Sequence, residues 1–496
     1  MILEKGIKRK DMLGCVLCAN PKCSKGCSGN IDPGRLLFDI WFDNAEYAAS
    51  RLPDGNPCAN CTAECEKTCI KSGDVPIKSL ISRLYDVKAL QKESTAVDYS
   101  CLETDICGVK LENPFVLSSS VVASTYDMCA RAFEAGWAGV CFKTISTLEI
   151  HECSPRFSVL EGDNGEFNGF KNIEQLSDHS VAENMEIFRH LKEKYPTKVI
   201  IASIMGQNEA EWESLAGECE KNGADVIELN FSCPNMATEG MGSDIGQVPE
   251  LVEQFTRAAK RGCSIPVLAK LTPNVDNMSP AAEAAKRGGA DGISAINTIK
   301  SITGVNLYTF VSDPAVHGKS AFGGYSGAAV KPIALRFIAE LGNNPELKGM
   351  HISGMGGIEN WSDAAEFVLL GARSIQITTA VMKYGYRIVE DLKNGLALYM
   401  SQMGIKSVDE LAGAGLDSVY SSTDVLERDT IIYPKLLRDK CIGCGRCTLS
   451  CADGGHQALY IGNDGKVAMN GRNCVGCHLC TFVCPQGAII PGSKRI

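Results

Sequence analysis

Two groups of cysteines near the C-terminus have a spacing that is typical of iron–sulfur proteins. The segments CIGCGRCTLSC and CVGCHLCTFVCP both follow the pattern C-x2-C-x2-C-x3-C. In two-cluster ferredoxins, the fourth cysteine of each run binds the other cluster. The predicted ligand sets are Cys441, Cys444, Cys447 with Cys484, and Cys474, Cys477, Cys480 with Cys451. Two structural zinc sites are the alternative, although zinc ligands more often come as C-x2-C pairs with longer gaps.

Two further cysteine groups stand near the N-terminus. The segment CVLCANPKCSKGC supplies Cys15, Cys18, Cys23 and Cys27, and CANCTAECEKTC supplies Cys58, Cys61, Cys65 and Cys69. Eight thiolates can hold two cubane clusters, but the spacing is less regular here and zinc stays possible. Four clusters in one chain would form an electron-transfer chain, so electrons would enter or leave the protein far from the substrate.

The remaining eight of the 24 cysteines stand singly, and Cys233 differs from the others by its surroundings. In ELNFSCPNM an apolar strand ends in a polar group that includes Asn230 and Ser232. A thiol is mostly protonated at neutral pH and can act as a proton donor. The glycine-rich segment MATEGMGSDIGQ predicts a mobile lid around it. We expect the other single cysteines to fill space in the core: Cys101, Cys107, Cys129, Cys141, Cys153, Cys219 and Cys263.

Eight apolar runs alternate with helical patterns in the middle of the chain. The runs are FVLSSS, GVCFKT, VIIASIM, VIELNFS, VLAKLT, GISAINT, MHISGMGG and SIQITT. This alternation predicts an α/β fold, a (β/α)8 TIM barrel, with a doubly wound open sheet as the alternative. We divide the chain into an N-terminal α-helical iron–sulfur domain (1–100), the barrel (101–435) and a ferredoxin-like domain with two [4Fe-4S] clusters (436–496). The first domain should contain a helix that begins after Asp32 as N-cap, with Pro33 in its first turn.

Polar residues follow the predicted barrel strands, where barrel active sites lie. The pairs Gly356–Gly357 and Thr378–Thr379 follow the seventh and eighth strands, the usual place of a barrel phosphate site. A phosphate site in a chain that also has iron–sulfur clusters predicts flavin mononucleotide (FMN) as the cofactor. Clusters carry single electrons, and a flavin converts them into a two-electron hydride. The glycines could instead only form turns. Other candidates are Ser118, Ser119, Lys143, Asn230, Lys270, Asn297 and Thr298.

Two kinds of polar side chain at these strand ends suggest what is bound. Lys143 and Lys270 stand at the ends of strands that face the barrel interior. Lys270 could stabilise negative charge on a reduced flavin. The alternative is that these lysines simply extend to solvent. Asparagine can pair with either C=O or N–H groups, which suits a planar heterocycle that alternates them. The residues that could do so are Asn172, Asn230, Asn297 and Thr298.

Composition excludes several classes of function. The chain has 496 residues and a net charge of −10, which disfavours binding to nucleic acid. No apolar run approaches the length of about 20 residues that spans a membrane. The N-terminal sequence lacks the pattern of a secretory signal, and clustered cysteines indicate metal sites rather than disulfides. We therefore expect a cytoplasmic protein with no membrane partner.

Several segments together resemble the dihydropyrimidine dehydrogenases, in particular their bacterial catalytic subunits. They are ELNFSCP, AKLTPNV, AAKRGGADGI, AINTIKSITG, GGYSGAAVKPIALRFI, GYRIVEDL and CIGCGRC with GGHQA. The resemblance implies a dihydroorotate dehydrogenase-like FMN barrel that serves pyrimidine catabolism by reducing the 5,6 double bond of uracil or thymine. Flavin N5 would give hydride to C6, and the loop cysteine, Cys233 here, would protonate C5.

The same resemblance implies roles for other residues. The pyrimidine would contact Asn172, Asn230, Asn297 and Thr298, with Ser232 beside them. The flavin would be bound by Ser118, Ser119, Lys143, Thr144, Lys270, Ser326, Gly327, Gly356, Gly357, Thr378 and Thr379.

The N-terminal cysteines resemble the cluster domain of the long, fused form of that enzyme. The resemblance implies two crossed sets, namely Cys15, Cys18, Cys23 with Cys69, and Cys27, Cys61, Cys65 with Cys58 in place of a glutamine. The FAD and NADPH domains of the fused enzyme are missing between residue 100 and the barrel. We therefore expect electrons from a separate FAD/NAD(H) subunit or a ferredoxin, and a homodimer or heterotetramer.

Two alternatives stay open at this point. The motif SCPN with Asn235 also occurs in dihydroorotate dehydrogenases, where the asparagine helps to hold the orotate carboxylate. A dihydroorotate dehydrogenase, or another oxidoreductase of cyclic enamides, is thus the second hypothesis. An electron-transfer adaptor that no longer catalyses a reaction is the third.

Overall fold

The computed structural model describes residues 7, 9–12, 14–91, 97–162, 167–236 and 241–495. The chain forms two compact units, Met1–Val419 and Tyr420–Ile496. None of the cysteines, all of which lie in the described ranges, forms a disulfide. The three-domain division stays our proposal.

The centre of the first unit is a closed barrel of eight parallel strands. This confirms the (β/α)8 prediction and makes the doubly wound sheet wrong. The strands coincide with the eight apolar runs because a strand inside a barrel is covered on both faces and is therefore mostly apolar. They are β1 (Phe115–Leu117), β2 (Gly139–Cys141), β3 (Val199–Ile204), β4 (Val226–Asn230), β5 (Val267–Lys270), β6 (Gly292–Ala295), β7 (His351–Met355) and β8 (Ser374–Ile377).

Eight main helices surround the barrel, one after each strand. Local capping fixes several of their ends. Asn360 and Asp363, for example, form a reciprocal capping box at the start of the seventh helix. The helices are α1 (Tyr126–Ala135), α2 (Val181–Lys194), α3 (Glu209–Lys221), α4 (Pro249–Gly262), α5 (Ser279–Gly288), α6 (Lys331–Gly342), α7 (Trp361–Leu369) and α8 (Ile388–Met403). Short helices span Ser243–Gly246, Thr379–Tyr384 and Val408–Leu411.

Two small sheets are added to the barrel. A hairpin of Thr104–Ile106 and Val109–Leu111 precedes β1. An antiparallel sheet of four strands is built from the segments that follow β2 and β6, in the order Ile299–Ser301, Gly323–Ser326, Phe167–Asn172, Phe157–Glu161. The sequence analysis did not predict this second sheet, which carries Asn172 and Ser326 to the cavity described below.

The N-terminal segment is helical, as predicted, and belongs to the same compact unit as the barrel. Asp32 caps the helix Pro33–Trp41 by accepting a hydrogen bond of 3.0 Å from the backbone N–H of Arg35. The aromatic rings of this helix end, Trp41 and Phe42, pack edge-on against Tyr384. The further helices span Lys22–Lys25, Ala45–Ser50, Glu64–Thr68 and Ile77–Leu90.

A buried charge cluster joins this segment to α8. The guanidinium of Arg35 lies 2.7 Å from Asp39 Oδ1 and 2.9 Å from Asp391 Oδ2. Asn44 Nδ2 donates hydrogen bonds to the backbone carbonyl and side chain of Asp391 at 2.8 and 3.1 Å. Burial, together with the neighbouring Asp391 charge, raises the pKa of the Asp39 carboxyl to about 9. The two carboxyls therefore favour a state in which they share a proton.

The second unit is small. Its helices span Arg446–Gly454 and Leu479–Val483. Two antiparallel pairs of strands join Ile431–Leu436 with Ile489–Arg495 and Leu459–Ile461 with Val467–Met469. Its core includes two cysteines, Cys447 and Cys480, among a few aliphatic side chains. In the described part of the chain, no helix has the length and apolarity needed to span a membrane.

We predict that Asp39→Asn stabilises the protein at alkaline pH. A carboxyl whose pKa is raised by folding contributes stability below its unfolded value, near 3.8, which is lost as the pH rises towards 9. The amide should therefore leave the melting temperature near the wild-type value at about pH 5 and raise it by a few degrees at about pH 8. The exposed Asp54→Asn is the control and should shift neither value. An equal shift at both pH values for Asp39→Asn would contradict the assignment.

Candidate active site

A cavity opens at the C-terminal ends of the barrel strands and encloses about 1120 Å³ of empty space, its solvent-open mouth included. The structure brings nearly all predicted site residues to its wall. They are Ser118, Ser119, Lys143, Thr144, Asn172, Asn230, Cys233, Lys270, Asn297, Thr298, Ser326, Gly327, Gly356, Gly357, Thr378 and Thr379. Their individual roles stay predictions.

Ser232 is the predicted residue that does not line the cavity. It is fully buried behind the wall, and its hydroxyl donates to Asn230 Oδ1 at 2.9 Å and accepts from Asn297 Nδ2 at 2.8 Å. It thus orients two asparagines instead of reaching a ligand.

The asparagine side chains are fixed in orientation by their neighbours. Asn230 Nδ2 donates to Thr144 Oγ1 at 2.9 Å, while its Oδ1 accepts from Ser232. Asn297 Oδ1 accepts from the backbone N–H of Thr298 at 2.7 Å. Because these bonds define which end of each amide is N–H and which is C=O, the wall presents a fixed pattern of donors and acceptors.

Asn235, whose role the sequence left open, is held by the rim of the cavity. Its Nδ2 donates to the backbone carbonyls of Glu174 at 2.8 Å and Asn172 at 3.3 Å. Its Oδ1 is buried and accepts no hydrogen bond from the described residues. The donors of the side chain are therefore engaged by the backbone, and its acceptor is buried within the rim.

Glu174 also lines the cavity, and the sequence analysis missed it. It lies two residues after Asn172, in a stretch that showed no apolar strand pattern. Its Oε1 lies 3.4 Å from Arg156 Nη1 and 3.9 Å from Lys143 Nζ, which is itself 3.8 Å from Glu152 Oε1. Burial raises the pKa of the Glu174 carboxyl. Its place two residues after the predicted pyrimidine contact Asn172, at the end of the strand Phe167–Asn172, was the signal that could have pointed to it.

Cys233 sits where β4 opens into the cavity, with 8% of its surface exposed. Burial raises the pKa of its thiol to about 11, so the group is protonated at neutral pH. Of the predicted lid, Ala237–Gly240 lie outside the described residues. The neighbouring backbone is tightly packed, since a Cβ on Gly242 would lie 2.4 Å from the carbonyl oxygen of Cys233.

Lys270 reaches the cavity from the end of β5 and is almost completely buried. Its Nζ lies 3.1 Å from Glu228 Oε1 and 3.4 Å from Ser118 Oγ. The parallel pairing of β4 with β5 places Asn230 directly beside Lys270. The charged side chain is thus held at the floor of the cavity and does not extend to solvent.

The opposite end of the cavity has the features of a phosphate site. A Cβ on Gly357 would lie 2.7 Å from the backbone nitrogen of Lys331 and 2.9 Å from the carbonyl of Gly327, so only glycine fits. The side chains of Thr378 and Thr379 stand at the start of the short helix Thr379–Tyr384. Close backbone approach, nearby hydroxyls and a buried cation at the floor suit the phosphate and ring of FMN.

The N-terminal thiols fall into two neighbouring sets. Besides burial, which is the main cause, nearby thiol charges raise the pKa of four of these cysteines, among them Cys23, which lies near Cys18 and Cys69. The pKa of Cys15 is raised by Cys18, Cys23 and Cys69. The pKa of Cys58 is raised by Cys27 and Cys61, and that of Cys65 is raised by Cys27 and Cys58. This grouping agrees with the crossed sets that the resemblance implied. Among the described residues, no three His, Cys, Asp or Glu side chains converge as a single metal ion requires. The choice between clusters and zinc therefore rests on the sequence.

The C-terminal cysteines surround two separate cavities. One is lined by Cys441, Cys444, Cys447 and Cys484 and the other by Cys451, Cys474, Cys477 and Cys480. The fourth cysteine of each run thus faces the other cavity, which is the predicted crossed arrangement.

Comparison with known proteins matches both units. Residues 101–400 match the dihydroorotate dehydrogenase family, and residues 435–490 match the 4Fe-4S dicluster domain. The NAD-dependent dihydropyrimidine dehydrogenase subunit PreA of Escherichia coli (strain K12) is 55% identical over 72% of this chain and 87% of that protein. The chloroplastic dihydropyrimidine dehydrogenase (NADP(+)) of Arabidopsis thaliana is 36% identical over 68% and 82%. The dihydroorotate dehydrogenase B (NAD(+)) catalytic subunit of Pyrococcus abyssi is 39% identical over 64% and 99%.

We predict that Gly357→Ala weakens FMN binding about tenfold or more, at a cost above about 1.4 kcal/mol, because the added methyl group collides with the backbone of Lys331 and Gly327 and displaces the loop that would hold the phosphate. Fluorescence titration of the flavin-free protein measures this. Gly385→Ala is the matched control, since that glycine also has a positive φ (+83°) but has open space around its Cβ position. Equal FMN affinity in the two variants would show that this loop does not hold the phosphate.

Proposed function

The chain belongs to the dihydroorotate dehydrogenase family of flavin-dependent oxidoreductases, and we propose that it reduces the 5,6 double bond of uracil or thymine. Electrons would reach its FMN through [4Fe-4S] clusters from a separate FAD/NAD(H) subunit or a ferredoxin. The observation that carries this proposal is a protonated, buried thiol, Cys233, which lines the same cavity as the amides of Asn230 and Asn297 and the carboxyl of Glu174.

Reduction of a carbon–carbon double bond requires a hydride and a proton. When bound, FMN supplies the hydride to one carbon of the ring. Cys233 supplies the proton to the other carbon, because its thiol carries a proton across the neutral pH range and lies on the cavity wall. The fixed amides of Asn230 and Asn297 orient the ring between them.

The rim of the cavity favours a neutral pyrimidine over orotate. A carboxylate needs donors, but the Asn235 amide already donates to the backbone of Glu174 and Asn172. The buried carboxyl of Glu174, with Glu152 behind Lys143, leaves little positive charge for an anionic substituent. Ring N–H groups instead find an acceptor in the carboxyl of Glu174, which lines the cavity.

The alternatives are distinguished by these features. A dihydroorotate dehydrogenase would use Asn235 as a donor, which its present hydrogen bonds prevent. An electron-transfer adaptor would not need Cys233, Asn230 and Lys270 assembled around one cavity. Both alternatives remain possible outcomes of the experiment below.

We propose a cytoplasmic protein that works in a homodimer or heterotetramer with its electron donor. The name of the Escherichia coli relative describes that protein as a subunit. In this chain, the segment that links the two strands after β6 exposes large apolar side chains, with Leu307 at 81%, Tyr308 at 93% and Phe310 at 81%. Such a continuous apolar surface is typical of a contact with another protein.

We predict that the anaerobically reconstituted protein, given a low-potential reductant, consumes uracil and thymine but not orotate. Glu174→Gln should raise the KM for uracil by about tenfold, because a charge-assisted hydrogen bond contributes about 1.5–3 kcal/mol. The exposed Glu149→Gln serves as control. Consumption of orotate alone would contradict the proposal in favour of the second hypothesis, and no turnover of any of the three would favour the adaptor.

We predict that Cys233→Ser lowers the turnover of uracil by about 10²- to 10⁴-fold, since an alcohol is a weaker acid than a thiol. Uracil binding, measured by its effect on the flavin spectrum, should be nearly unchanged. Because the pKa of the Cys233 thiol is about 11, the proton-donating step of the wild type should not weaken below that pH. Cys263→Ser, a buried thiol remote from the cavity wall, is the control. Equal rates in wild type and Cys233→Ser would remove Cys233 from the mechanism.

A further inference from the structure

A buried ion pair lies directly beneath the cavity. Glu228, on β4, is fully buried and does not line the cavity, whereas Lys270, on the neighbouring strand, does. Their charged atoms are 3.1 Å apart. A buried charge costs several kcal/mol unless it is paired and hydrogen-bonded, so a glutamate at this position needs an explanation.

Both oxygens of Glu228 are engaged. Oε1 accepts from Lys270 Nζ and from the thiol of Cys141 at 3.2 Å, and Oε2 accepts from Gln376 Nε2 at 2.9 Å. Burial alone would raise the pKa of this carboxyl, but Lys270 and the hydrogen bonds from Gln376 and Cys141 outweigh burial and lower it. Glu228 is therefore a carboxylate whose position is fixed from three strands of the barrel.

Two buried thiols, Cys141 and Cys233, also interact with Lys270. Burial raises the pKa of Cys141, on β2, well above its ordinary value and that of Cys233 to about 11. The charged pair Lys143 and Glu152 acts on Cys233 from the far side. Glu228 thus supplies the negative charge that balances Lys270 as long as the flavin ring above it is uncharged.

We propose that Glu228 is a positioning residue of the flavin site, which keeps Lys270 charged and directed at the cavity floor. A buried ammonium that has lost its counter-ion gives up its proton instead of remaining charged. A fixed positive charge beside the flavin ring stabilises its electron-rich states, so the loss of that charge changes the chemistry of the ring. The inference rests on the flavin site proposed above, and not on which pyrimidine is reduced.

Sulfite addition to the oxidised flavin tests the proposal, because the adduct is anionic and difference spectra separate it from the iron–sulfur absorbance. In Glu228→Gln, sulfite affinity relative to wild type at the same pH should fall about tenfold or more at about pH 8.5. It should recover near pH 6, as Lys270 regains its proton. Lys270→Met should show the loss at both pH values without recovery.

Two further variants make the result specific. Glu228→Asp, which keeps the charge, should keep the wild-type pH profile even if the affinity changes. Ser374→Ala removes a buried hydroxyl from the same barrel interior, where it contacts His351 and Ser353, and should leave sulfite affinity unchanged. Sulfite affinity in Glu228→Gln equal to or above wild type at every pH would overturn the proposal, as would a pH-dependent loss in Glu228→Asp.

A second readout needs no flavin. In the flavin-free protein, Glu228→Gln should lower the melting temperature because it leaves the buried amino group of Lys270 without its ion-pair partner. The double variant Glu228→Gln/Lys270→Met should regain at least half of that loss, since both charges are then removed together. A double variant whose loss equals the sum of the single losses would show that the two residues are not coupled. Neither measurement uses a pyrimidine, so failure of the substrate proposal leaves both outcomes unchanged.

Discussion

Closure of the barrel places the ends of eight parallel strands around one rim, where buried polar side chains are held in place by hydrogen bonds and ion pairs with their neighbours. Asn230 and Lys270 stand side by side through the pairing of β4 with β5. Each is then fixed by a neighbour, Ser232 in one case and Glu228 in the other. The geometry of the cavity follows from these contacts, since polar side chains fixed by their neighbours leave few directions in which a ligand can bind.

The barrel and most of its wall could be predicted from the sequence for a physical reason. Strands that are covered on both faces must be apolar, so runs such as VIIASIM are visible as such, and polar residues that end them mark the rim. The antiparallel sheet after β2 and β6 carried no such signal, because strands like FNGFKN are polar and partly exposed. The position of Glu174 and the hydrogen bonds of Asn235 depend on this sheet. They could therefore not be predicted from the sequence.

The two ends of the chain differ in how well the cysteine spacing predicts the ligand sets. Near the C-terminus the regular spacing is sufficient to predict the crossed sets, and the two cavities lined by Cys441 and Cys474 with their partners agree with that prediction. Near the N-terminus the spacing is ambiguous, and a resemblance was needed to choose a pairing. There the fold contributes the information, since helices such as Glu64–Thr68 bring Cys65 next to Cys27.

The charge cluster between the N-terminal segment and α8 limits how the N-terminal segment can be exchanged between related proteins. Arg35 and Asn44 neutralise and hold Asp391, and Trp361 donates a hydrogen bond to the backbone of Asp43 at 3.2 Å. A barrel cut free at residue 101 would expose an unpaired carboxylate and several aromatic faces on two of its own helices. The N-terminal segment is thus not an interchangeable module. Any chimera that exchanges it must also redesign the outer surface of the barrel.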